Sequence, residues 1–137
     1  MTGAELARAA SALCGAPFRL NGRDPERGLD CIGLLELALR RAGRNITLPR
    51  GYSLRLTNPQ AWLPDPAACG FVLASLPFQP GDVVLLRMGH AQVHLAIAGL
   101  AGTWVHAHAG LRRVVVSPAL PASEVIGHWR LAPATEE

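Results

Sequence analysis

GDVVLLRMGHAQVHLAIAGLAGTWVHAHAGLRRVVVSPAL, residues 81–120, decides the fold. The runs DVVLLR, VHLAIAG, TWVHAH and RRVVVS are short, and each is apolar or alternating. Gly, Pro or polar breaks separate them. EVIGHWRL, at 124–131, adds one more run of the same kind. Such spacing predicts a meander of about five antiparallel strands.

Upstream the texture is different. Residues 3–14 place Leu6, Ala9, Ala10 and Leu13 at helical spacing, and Gly15 and Pro17 end the pattern. Residues 31–43 predict a second helix, with Asp30 as N-cap, Gly43 as C-terminal stop and an apolar side formed by Ile32, Leu35 and Leu39. Glu36 and Arg40 form an i,i+4 pair on it. Residues 18–30 are rich in turn formers and arginine and predict a loop. The proline-rich stretch 44–80 predicts mostly irregular structure, with a short helix near 58–75. Helices first and strands after define an α+β chain, with helices packed on one face of the sheet. Residues 1–137 fit a single domain, and the tail 132–137 is expected to fray.

Composition narrows the class of function. Half the residues are apolar and 17% are charged, which excludes a disordered chain. No apolar run reaches eighteen residues, so no membrane-spanning helix is expected. The start, MTGAELARAASALCG, lacks a signal peptide's basic beginning and unbroken apolar stretch, so synthesis in the cytoplasm without a cleaved signal is expected. All 13 basic residues are arginine, scattered along the chain, and the net charge is only +3. No motif accompanies them, so nucleic-acid binding is not expected. Three unevenly spaced cysteines, Cys14, Cys31 and Cys69, form neither a disulfide framework nor a zinc signature. Cys14 and Cys69 are read as small buried apolar residues. His90 and His94 make an HxxxH pair, but in a strand setting it does not predict a metal site.

Cys31 stands apart because it opens a helix. Partial positive charge and free N–H groups at a helix start favour a thiolate, so a depressed thiol pKa is expected. The same groups can stabilise an oxyanion. A thiolate nucleophile needs a base, normally histidine. His94 leads the run VHLAIAG and shares a strand face with Ala96 and Ala98. In TWVHAH, Trp104, His106 and His108 share a face. A short GLAG turn joins the two strands, so both can carry a histidine on the same face of the sheet. If the Cys31 helix packs on that face, a Cys–His–His line forms. One imidazole would take the thiol proton and the second would orient the first. Either His106 or His108 can be that second residue.

The order DCxGL, PGDVVLL, HLAIAG and VHA resembles the NlpC family of papain-like cysteine peptidases, across roughly residues 5–131. The resemblance implies a papain-like α+β fold and hydrolysis of peptidoglycan stem peptides, with no cofactor or metal. It makes Cys31 the nucleophile and His94 the general base. It prefers His106, twelve residues after His94, over His108 as the orienting residue. Ile32 stands where the family usually has serine, and Phe18 where it often has tyrosine. Phe18, Arg23, Asp30 and Ile32 are expected to border the substrate groove, with Arg23 available to a substrate carboxylate. GAPFRLNGRDPERGLDCIGLL, with SPAL and HWR, is similar to the short peptidases of phage tail and gene-transfer-agent clusters. That implies a tail or baseplate hub as partner and action in the cell envelope; the lack of a long apolar run separately predicts no membrane insertion. The family commonly cuts the bond between γ-D-glutamate and diaminopimelate or lysine. The alternatives are a weakly active structural baseplate subunit on the same fold, or an amidase or acyltransferase variant.

Overall fold

A computed structural model describes residues 1–50, 65–88, 92–120 and 124–132. Helix α1 spans Gly3–Ser11 and opens with a capping box, in which Thr2 Oγ1 accepts the Glu5 N–H and Glu5 accepts the Thr2 N–H. A small hairpin follows, β1 (Arg23–Asp24) against β2 (Gly28–Leu29). Helix α2 is Cys31–Arg41. Its end is a Schellman motif: Arg44 N–H reaches Leu39 C=O at 2.8 Å and Gly43 N–H reaches Arg40 C=O at 3.1 Å. Gly43 takes φ 111°, a conformation that costs glycine little.

A 3-10 helix, Pro66–Cys69, leads into β3 (Phe71–Leu73). Then come β4 (Val83–Arg87), β5 (Val93–Ala98), β6 (Trp104–His108), β7 (Arg113–Ser117) and β8 (Glu124–Leu131). They form one six-stranded sheet in the order β3-β8-β4-β5-β6-β7, with every neighbouring pair antiparallel. All five predicted strands are therefore present, but only β4 to β7 form a meander; β8 crosses back to pair with β4, and β3 adds a sixth strand beyond it. Strand β3 has three residues, too few for a period-2 pattern to emerge. The hairpin in the predicted loop 18–30 escaped notice for the same reason. Of the helix expected near 58–75, residues 58–64 lie outside the described residues, and the rest holds the 3-10 helix and β3. Residues 133–137 of the expected frayed tail also lie outside them.

The core has two parts, one on each face of the sheet. Leu34, Leu35, Ala38 and Leu39 of α2 join Leu6 and Ala10 of α1 and the sheet residues Val93, Leu95, Ile97, Val105 and Ala107 in one apolar cluster. Val84, Leu86, Ala96, Ala98 and Trp104 form a smaller cluster on the opposite face. Both helices thus pack on the odd-numbered positions of β5. Asp82 is fully buried beside the second cluster. It accepts hydrogen bonds from Arg130 Nε at 2.8 Å, the Gln79 N–H at 3.0 Å and His128 Nε2 at 2.6 Å, and these, Arg130 foremost, hold its carboxyl below the usual carboxylate range despite burial. Among the described residues no helix is long and apolar enough to cross a membrane.

Candidate active site

The start of α2 is fixed from both sides. Asp30 is extended and its Oδ1 accepts the Gly33 N–H at 2.8 Å, the N-cap bond the sequence predicts. Its Oδ2 accepts the Asn21 N–H at 2.7 Å, which ties the preceding loop to the cap. Gly33 lies against the Gly22 carbonyl so closely that a Cβ there would collide with its oxygen. That contact explains the glycine of DCIGL. Cys31 is consequently the first helical residue, held in one place, with 1% of its surface exposed.

The thiol meets the backbone N–H of Leu95, the residue after His94. The helix therefore reaches β5 at the histidine end of the strand. It does not cover the histidine-bearing face, as the sequence reading supposed. Leu95 faces α2, whereas Ala96 and Ala98 face away with the second cluster. The β5–β6 ladder pairs Ala98↔Trp104 and Ile97↔Val105 and stops there. Beyond its last rung lies a cleft of about 190 Å³, whose lining includes Phe18, Met88, Gln92, His94, His106 and His108.

In this unpaired end His94 Nε2 lies 3.2 Å from His106 Nδ1, with the rings nearly perpendicular at 84°. On the far side His106 Nε2 lies 3.0 Å from Ser117 Oγ. His108 is engaged elsewhere, its Nδ1 accepting the Leu111 N–H at 3.0 Å. Of the two candidate partners for His94, the structure brings His106 into contact. Ser117 was missed by sequence reasoning. It ends the apolar run RRVVVS, and only the cross-strand register, His106↔Val115, places it near the imidazole.

Electrostatics correct one expectation. Burial pushes the Cys31 thiol up to about 12, and the Asp30 charge adds to this. The N–H groups of Leu95, Cys31 and Ile32 oppose the rise without reversing it. The expected depressed thiol pKa is thus absent, because desolvation outweighs the helix start. Burial, then the neighbouring His106 and His108, lowers His94 to about 4. Burial and His108 lower His106 to about 4. Near neutral pH the site holds a neutral thiol and two neutral imidazoles.

The expected groove residues separate into two groups. Phe18, half-buried, lines the histidine cleft. Asp30 and Ile32 are fully buried, Asp30 as the cap and Ile32 in the core beside a small apolar crevice, so neither borders the cleft. Arg23 turns inward, with a side chain only 6% exposed. It pairs with Asp30 and Glu36 at 3.3 Å each and donates to the Pro49 carbonyl at 2.6 Å. It is a structural cation here and is not presented to a substrate carboxylate. Glu36 does pair with Arg40, at 3.9 Å, but it is 2% exposed and also accepts the Leu48 N–H. Cys69 is buried as expected, whereas Cys14 is exposed. His90 lies outside the described residues.

A cysteine at a helix start, two helices on one face of an antiparallel sheet, and a histidine pair at the adjoining strand end define a papain-like thiol-hydrolase fold. Residues 15–129 match the NlpC/P60 family, and the chain belongs to it. Members of this family are cysteine peptidases that act as peptidoglycan hydrolases. The NlpC/p60 domain of the peptidoglycan hydrolase SagA is 27% identical at a TM-score of 0.57, over 85% of this chain and 89% of that one. The peptidoglycan hydrolase RipB of Mycobacterium tuberculosis is 20% identical at a TM-score of 0.57, over 93% of this chain and 63% of that one. A lipoprotein-like NLP/P60 protein of Staphylococcus aureus is 20% identical at a TM-score of 0.63, over 96% of this chain and 42% of that one. The chain therefore spans nearly all of the SagA domain but less than two thirds of the latter two. No curated protein matches it in sequence.

Proposed function

We propose that this protein is a cysteine endopeptidase that cleaves peptidoglycan stem peptides at the γ-D-glutamyl bond to diaminopimelate or lysine. The observation that carries the reading is the His94–His106 contact at 3.2 Å, on the strand whose next N–H meets the Cys31 thiol. His94 uses Nε2 toward His106, which leaves Nδ1 to take the thiol proton. The sulfur then attacks the amide carbon, and the N–H of Cys31 stabilises the oxyanion. The imidazolium returns its proton to the leaving amine, and water later releases the acyl group. His106 orients His94 and accepts from its Nε2–H. His94 must be neutral to take that proton, which agrees with the direction in which burial moves its pKa.

The resemblance of residues 15–35 to peptidases of phage tail and gene-transfer-agent clusters supports a role at a tail tip or baseplate. The hydrolase would there open the wall locally for DNA delivery. A second reading, a structural tail subunit with little activity, is favoured by the burial of Cys31. Peptidoglycan digestion followed by mass spectrometry, beside Cys31→Ala, separates the two. New N-terminal diaminopimelate or lysine supports the endopeptidase, and release of intact stem peptides indicates an amidase. No cleavage by folded wild-type protein favours the structural subunit. In the same assay His106→Ala is expected to lose at least tenfold more activity than His108→Ala, consistent with the range for general acid–base groups.

A further inference from the structure

We propose that Ser117 is a positioning residue that holds His106, and through it His94, in the proton arrangement competent for catalysis. The inference rests on the peptidase reading above. The chain His94–His106–Ser117 has contacts of 3.2 and 3.0 Å and admits two arrangements. In the first, His94 donates from Nε2–H to His106 Nδ1, and His106 donates from Nε2–H to Ser117 Oγ. His94 Nδ1 is then bare and can accept the thiol proton. In the second, the Ser117 hydroxyl donates to His106 Nε2, His106 donates from Nδ1–H, and His94 carries its proton on Nδ1. That arrangement has no base to offer Cys31.

His106 is 2% exposed, so its Nε2–H needs a protein acceptor, and Ser117 Oγ is placed to be one. Ser117 belongs to the strand at the end of the sheet and itself remains half-buried, so a substitution there is not a deep-core change. Without the hydroxyl, the first arrangement strands a buried N–H, whereas the second leaves only a bare ring nitrogen at the same place. Buried orphan donors are the rarer of the two, so the equilibrium should move toward the inactive arrangement.

Ser117→Val keeps the approximate size of threonine and removes the hydroxyl, whereas Ser117→Thr keeps it. The test reads the ring-nitrogen shifts of His106 by 15N NMR, together with kcat and KM on a soluble stem peptide. The wild type should carry its His106 proton on Nε2. Ser117→Val should move it to Nδ1, lowering kcat roughly ten- to a hundredfold with KM little changed. Ser117→Thr should restore both. An unchanged tautomer in Ser117→Val, or equal losses in the two variants, overturns the proposal. If wild-type protein does not cleave while Ser117→Val still shifts the tautomer, the peptidase reading fails. The catalytic meaning of Ser117 then fails with it, and the hydrogen-bond assignment stands.

Discussion

Cys31 and Cys14 differ in a way that chemistry can read directly. Cys14 is exposed, whereas Cys31 is buried with its thiol pushed up to about 12. Burial favours the thiol form of Cys31 at neutral pH, and the thiolate is the reactive form. A maleimide should therefore label Cys14 first, and Cys31 should react only slowly until mild denaturant opens the helix start. Mass spectrometry of tryptic peptides at timed quenches follows both. Labelling of Cys31 as fast as Cys14 would mean an open site with an activated thiol at rest, contrary to the protonation described above. The position of Cys31 was legible because an Asp before a helical run is a strong N-cap signal. Its ionisation was not, because desolvation depends on what covers the helix start, and residues 28–43 carry no information about that.

The β1–β2 hairpin and α2 are joined by a charge cluster that sequence pattern misplaces. Glu36 lies four residues before Arg40, which reads as a surface pair, and Arg23 stands in a polar loop. The fold instead buries Glu36 and Asp30 and brings Arg23 between them. Long-range pairing of this kind leaves no periodic trace, just as β3 and the two-residue strands of the hairpin leave none. By contrast, the long runs of β4 to β8 and the two helices were legible, because their periods repeat. The short turn likewise placed a histidine of each adjoining strand on one face, but it left His106 and His108 open, and only the family resemblance preferred His106. Arg23→Met removes the cation from two buried carboxylates and should destabilise the protein by about 3–5 kcal/mol in urea unfolding. Adding Glu36→Gln should recover part of that loss, since one buried charge no longer lacks its partner. No recovery in the double variant would show that Arg23 acts through packing and the Pro49 carbonyl, not through charge.

Two histidines, His106 buried and His94 half-buried, link the stability of the whole molecule to acid. His94 and His106 are each lowered from 6.5 to about 4 in the folded protein, so between those values the unfolded chain binds more protons than the native one. Stability must then rise with pH across that window. Their contribution is fully present above pH 6.5, declines as pH falls toward 4, and levels off below. Asp82 acts in a different range. Its carboxyl is lowered from 3.8, so its contribution is present above that value and disappears as pH falls through its native pKa. Thermal melts should consequently show a first decline in Tm from about pH 6.5 to 4 and a second below it. His94→Gln and His106→Gln should each flatten the first decline and leave the second. Asp82→Asn should lower Tm at neutral pH and shrink the second decline without changing the first; Glu5, also lowered by its Thr2 bonds, keeps part of the second. A wild-type Tm constant between pH 6.5 and 4 would mean that the two imidazoles protonate freely in the native state. The site would then be solvated, and the neutral resting pair on which the proton-transfer step depends would have to be abandoned.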